Sequence, residues 1–127
     1  MKRVLIVDDD PMLRRGLRRM VQETVDDQNT PLHEACNGLE AIEELKKHPE
    51  DSWLVITDND MPGMSGLELL EKLTSDLAKT KTYRVLNTAS LEVSEEVARD
   101  AGADRLIRKP SPSMTYVGIV HAFLQSS

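Results

Sequence analysis

The stretch Val55 to Gly66, VITDNDMPGMSG, decides the fold. Leu54 to Thr57 are apolar or β-branched and read as a buried strand. That strand ends on one acid, Asp58, passes a second, Asp60, and breaks into a Met-Pro pair and a cluster of glycines. Open α/β proteins put their chemistry at the carboxyl ends of parallel strands. If Asp58 sits at such an end, the rest of the chain must supply more strands running the same way.

It does so by alternation. Val4 to Val7 is a β-branched-rich strand, and Pro11 suits the first turn of a helix with Asp10 as its cap. Leu13, Leu17, Met20 and Val21 recur there at helical spacing, with Gly16 on the same face. After a polar loop, Leu32 to Cys36 is a weak strand. Gly38 opens a helix in which Leu39, Ile42 and Leu45 share a face, and His48-Pro49 stops it. Trp53 to Thr57 is the third strand, and Leu67, Leu70 and Leu73 mark the third helix. Tyr83 to Asn87 is a fourth strand, and Ser94 to Ala101 a short helix closed by Gly102. Leu106 and Ile107 form a fifth strand that ends at Lys109-Pro110, and Ser113 to Leu124 is the last helix. Five βα units in series predict an α/β fold, a five-stranded parallel sheet covered on both faces. Right-handed crossovers then bring all the strand ends to one edge.

Composition bounds the rest. The chain has 127 residues, 39% hydrophobic and 30% charged, which reads as one globular domain over 1–127. A net charge of -6 argues against bulk electrostatic binding of nucleic acid. No apolar run approaches membrane-spanning length. The single cysteine, Cys36, cannot close an internal disulfide, so a cytoplasmic setting is expected.

The strand ends carry the chemistry. The first ends in Asp8-Asp9-Asp10, the third in Asp58, the fourth in Thr88 and the fifth in Lys109. Carboxylates held a few ångströms apart repel, and a hard divalent cation removes that conflict. Mg²⁺ fits, because it takes one or two carboxylates together with waters and phosphate oxygens. Asp58 is then a candidate nucleophile, since carboxylates form aspartyl-phosphates. The Thr88 hydroxyl and the Lys109 ammonium are placed to hold phosphoryl oxygens.

These residues resemble the receiver domain of two-component response regulators. LIVDDDPMLRR is similar to the family's acidic pair and first helix, and VITDNDMPGMSGLELL to its phosphoacceptor strand. VLNTAS is similar to its hydroxyl strand and AGADRLIRKP to its Lys-Pro strand, so the likeness runs through nearly the whole chain. The resemblance implies a flavodoxin-like, doubly wound three-layer sandwich. It implies that Asp9 ligates Mg²⁺ directly, that Asp8 assists, and that Asp58 accepts a phosphoryl group from a histidine kinase or histidine phosphotransfer protein. It implies that the Asp60 backbone carbonyl completes the ligands, that Thr88 and Lys109 read the phosphoryl group, and that Lys109-Pro110 is cis. A downstream protein partner follows from the same likeness, and self-phosphorylation or self-dephosphorylation are the only catalytic activities it brings.

Other residues have plainer readings. Asp10 reads as a cap, the Asp60 side chain as solvated, and Gly63 and Gly66 as turn residues. Cys36 and Trp53 read as packing residues, and His33, His48 and His121 as scattered. Arg14, Arg15, Arg18 and Arg19 form a solvated face, or a docking face for an acidic partner. Two positions depart from the family pattern. Leu106 stands where an aromatic residue is usual, and Asn59 where an apolar one is commoner. A phosphorelay shuttle is one alternative to a signalling switch. A haloacid-dehalogenase-like phosphatase is another, because Asp58-Asn59-Asp60 matches its DxD opening, but that motif belongs in a first strand.

Overall fold

A computed structural model describes residues 1–126. Five strands alternate with five helices: β1 (Lys2–Val7), α1 (Pro11–Asp27), β2 (Leu32–Ala35), α2 (Gly38–Lys47), β3 (Ser52–Asp58), α3 (Gly66–Asp76), β4 (Lys81–Thr88), α4 (Glu95–Ala101), β5 (Arg105–Arg108) and α5 (Ser113–Gln125). Each expected element is present, with ends moved by a few residues. All strands are parallel, in the order β2-β1-β3-β4-β5. This is the flavodoxin-like order, with its topological switch point between β1 and β3.

Strand alternation sorts the core into two layers. Val4, Ile6, Leu54, Ile56, Val85 and Ile107 face α1 and α5, where Leu17, Val21, Tyr116 and Ile119 meet them. Leu5, Val7, Val55 and Leu86 face α2, α3 and α4, against Ala41, Leu45, Leu69, Leu73 and Ala98. The helices start where local chemistry allows. Asp10, Asn37, Ser65 and Ser94 each cap the helix that follows, and Ser65 with Glu68 completes a capping box. Asp10 is therefore a cap, as expected. Gly102 ends α4 at φ 112°, a left-handed conformation that suits glycine. Lys2 Nζ donates to the Phe123 carbonyl at 2.6 Å and ties β1 to the end of α5. Among the described residues no helix is long and apolar enough to cross a membrane.

Several side chains depart from the sequence reading. Leu13 is 53% exposed, Met20 42% and Leu39 66%. Leu13 and Leu39 belong to the first turns of α1 and α2 and take no part in either core layer. Met20 sits beside the buried line of Leu17, Val21 and Val25. Arg14 and Arg18 are not simply solvated, since both pair with Glu34 of β2, Arg14 at 3.1 Å. Burial would raise the Glu34 carboxyl, but hydrogen bonds from Arg18 and Arg14 outweigh it and hold the group below its usual range. His33 and His48 are not scattered in space. Their rings lie 4.9 and 6.3 Å from that of Trp53, which is fully buried and donates to the His48 carbonyl at 3.1 Å. Cys36 is half-buried, and the neighbouring Glu40 carboxylate pushes its thiol upward and away from reactivity.

Candidate functional site

β1 and β3 are adjacent, so the switch point places Asp8, Asp9 and Asp58 side by side. Carboxylate oxygens of the three lie within 4.8 Å of one another, and no other group of metal-ligating side chains forms among the described residues. Oxygens around one Mg²⁺ at about 2.1 Å are at most about 4.2 Å apart, so the three fit such an ion after a small inward movement. The Asp60 side chain is exposed and outside this group.

Each acid is held differently. Asp8 is buried, and its Oδ1 accepts from the Asp10 N–H at 2.9 Å while its carbonyl accepts from Arg14 Nη1 at 2.8 Å. Asp9 is exposed and open to an incoming cation. Asp58 is mostly enclosed. Its desolvation raises the carboxyl pKa, the Lys109 ammonium opposes this, and Asp8 adds to the rise. Lys109 Nζ lies 3.3 Å from Asp58 Oδ1 and 3.5 Å from Asp8 Oδ2. A single cation thus bridges the two buried acids. The Lys109-Pro110 bond is cis, as expected.

Thr88 is fully buried at the end of β4. Its Oγ1 accepts from the Ser90 N–H at 3.0 Å, which leaves the hydroxyl proton free to donate elsewhere. Leu106 packs into the layer formed by α2, α3 and α4, with Leu86.

The loop after Asp58 is built around Asn59. Its carbonyl accepts from the N–H groups of Met61 at 3.1 Å and Gly66 at 3.0 Å, and its Oδ1 accepts from Leu67 N–H at 3.1 Å. Asn59 thus holds the start of α3 against the strand end; an apolar residue would keep the two carbonyl bonds but lose the side-chain bond to Leu67. Gly63 is a turn residue at φ 81°, as read. Gly66 is more than that. A Cβ there would stand 2.2 Å from the Asp58 carbonyl oxygen, so the close approach itself demands glycine.

Sequence reasoning named Arg14, Asn59 and Gly66 without these contacts, and did not single out Asn87 or Tyr116. Asn87 precedes Thr88 and accepts a buried hydrogen bond from the Tyr116 hydroxyl at 2.8 Å. The offset of Gly66 from Asp58 was legible in the chain, whereas the partnership of Asn87 with Tyr116 left no local signal.

A carboxylate at a strand end, an acidic pair beside it, a buried hydroxyl and a bridging ammonium at one sheet edge are the groups that a phosphoryl-accepting site needs. The family model for the response regulator receiver domain matches residues 4–120. The chain belongs to that family. Such receivers act as phosphorylation-dependent switches, bind Mg²⁺ and work with a histidine kinase, and this chain carries the acidic group their chemistry uses. The receiver is 35% identical to Chemotaxis protein CheY-3 of Vibrio cholerae over 115 residues, 89% of this chain and 84% of that protein. It is 34% identical to Nitrate/nitrite response regulator protein NarL of Escherichia coli K12 over 106 residues, 84% of this chain and 47% of that one. The chain spans about half the length of the first curated relatives it matches. Among solved structures, the NarL receiver domain of Mycobacterium tuberculosis superposes with a TM-score of 0.77 at 24% identity, over 98% of this chain and 97% of that one. That likeness speaks for the fold. The phosphatase alternative has no support, since its motif belongs in a first strand and here lies at the end of the third.

Proposed function

We propose that Asp58 is the phosphoacceptor of a receiver comprising residues 1–127, and that its donor is a phosphohistidine of a sensor kinase or phosphotransfer protein in the cytoplasm. The observation that carries this reading is the position of Asp58 at the end of β3, 3.3 Å from Lys109 and grouped with Asp8 and Asp9. An Asp58 carboxylate oxygen attacks phosphorus, the P–N bond breaks, and the imidazole nitrogen leaves with the electron pair and takes up a proton. The product is an acyl phosphate on Asp58.

Asp9 and Asp58, with help from Asp8 and the Asp60 backbone carbonyl, would hold Mg²⁺. When bound, the ion offsets charge on the phosphoryl oxygens. Lys109 pairs with one of those oxygens, and the free proton of Thr88 Oγ1 reaches another. Water attack on phosphorus returns Asp58 to its carboxylate, which limits the signal in time. Arg15 and Arg19, exposed on α1, offer positive charge to an acidic docking partner.

Phosphotransfer from a small radiolabelled phosphodonor, with Mg²⁺ present, tests the assignment. Label is expected on the unaltered protein in an acid-labile, hydroxylamine-sensitive form, and none on Asp58→Asn. Asp9→Ala should lose Mg²⁺-dependent labelling. Label that persists unchanged on Asp58→Asn would move the acceptor elsewhere and sink the proposal.

A further inference from the structure

The Tyr116–Asn87 hydrogen bond joins α5 to β4 inside the core, between residues 29 positions apart. Asn87 is only 5% exposed. It pairs in register with Asp58 on one side and with Ile107 on the other. Register partners in parallel strands share a face, so Asn87 and Asp58 lie together on the face covered by α1 and α5. Lys109, two residues after Ile107, falls on the same face. Thr88, Leu86 and Leu106 lie on the opposite face.

A buried amide is costly unless its polar atoms are used. The tyrosine hydroxyl occupies Oδ1. No acceptor among the described residues takes the Nδ2 hydrogens, yet that nitrogen is not sealed in as an unsatisfied buried atom. The end of β4 is one residue away, and it is the edge where Asp58 lies. Burial keeps the Tyr116 hydroxyl protonated, so it remains a donor.

We propose that Asn87 is a positioning residue of the acceptor site and that Tyr116 couples it to α5. The inference rests on the receiver reading of Asp58. Phosphoryl oxygens on Asp58 bring new acceptors to the side of the site where the Asn87 Nδ2 hydrogens are free. The amide turns toward them, and its Oδ1 loosens from the tyrosine. Tyr116 lies in the first turn of α5, so the change passes to that helix and to α1, which packs on it. Leu106 cannot make a hydrogen bond. The polar link from the acceptor to a helix therefore runs through the α1 and α5 layer.

The test is NMR of the full chain with Mg²⁺, with and without beryllofluoride, following the Tyr116 ring and the amides of Ser113 to Gln125. In the unaltered protein both sets of signals are expected to shift. Tyr116→Phe should still take label at Asp58 but lose the α5 shifts, while shifts in the loop after Thr88 persist. Asn87→Ala should lose the same shifts and bind beryllofluoride more weakly. A Tyr116 ring that does not respond, or an unchanged α5 response in Tyr116→Phe, would overturn the coupling and leave Asp58 as acceptor untouched. An unaltered protein that takes neither label nor beryllofluoride would overturn the receiver reading and the coupling with it. If Tyr116→Phe fails to fold, the ring signals of the unaltered protein decide alone.

Discussion

Asp58 and Lys109 share one contact, yet removing either should move stability in opposite directions. Burial lifts the Asp58 carboxyl in the folded state above the unfolded value of about 3.9. The folded protein therefore binds more protons than the unfolded chain as pH rises from there through the folded pKa, and stability falls across that window. Above it the cost of the buried charge is complete. Asp58→Asn removes that cost. Without Mg²⁺ it should raise the unfolding free energy at pH 7 by on the order of 1 kcal/mol, with the gap shrinking toward pH 4. Lys109→Met leaves Asp8 and Asp58 facing each other without a cation, and should cost about 1–3 kcal/mol. Urea unfolding of both variants over that pH range checks the pair. Equal signs would mean that the acids are better solvated than their burial implies.

The strand-to-helix connection from β3 to α3 is where local chemistry and the site meet. Ser65 and Glu68 cap α3 with a reciprocal box, and Ser65→Ala should cost about 1 kcal/mol without touching Asp58. Gly66→Ala is different. Its Cβ would meet the Asp58 carbonyl oxygen at 2.2 Å, Leu86 Cδ1 at 2.9 Å and Asn59 Cα at 3.0 Å, and two of those three are backbone atoms. The start of α3 must move away from the strand end. We expect a loss above about 2 kcal/mol together with slower phosphoryl acceptance, because the displaced backbone carries Asp58 with it. Thermal unfolding and labelling rates of the two variants separate the cap from the close approach. Normal labelling in Gly66→Ala would show that the connection adapts without disturbing the acceptor.

Across the whole molecule, the site and the single tryptophan occupy opposite ends of one strand. Trp53 sits near the start of β3 and Asp58 at its end, five residues or about 16 Å along the strand. Trp53 emission should therefore report unfolding of the core but stay flat when Mg²⁺ is titrated in. The ion should show itself by mass action, as a rise in the unfolding midpoint that grows with its concentration and is lost in Asp9→Ala. A tryptophan signal that tracks Mg²⁺ in the folded protein would reveal a conformational change extending the full length of the sheet.

The alternation of strand and helix, the cap at Asp10, the turn at Gly63 and the acids, hydroxyl and ammonium at the strand ends could all be read from the chain alone. Each depends on a local pattern: a period of two or 3.6 residues, a turn residue, or a motif a few positions long. What a side chain touches across the sheet could not be read that way. Arg14 and Arg18 find Glu34 only because β2 lies beside β1, and His33 and His48 meet only over Trp53. Leu13 and Leu39 continue their helices' apolar stripes yet stay exposed and outside both core layers. Asn87 looks like one more residue of the hydroxyl strand until the register sets it beside Asp58 and α5 brings Tyr116 to it. Those contacts join residues far apart in the chain, so strand order and register, and not any local propensity, choose which groups share the buried, weakly screened space around Asp58.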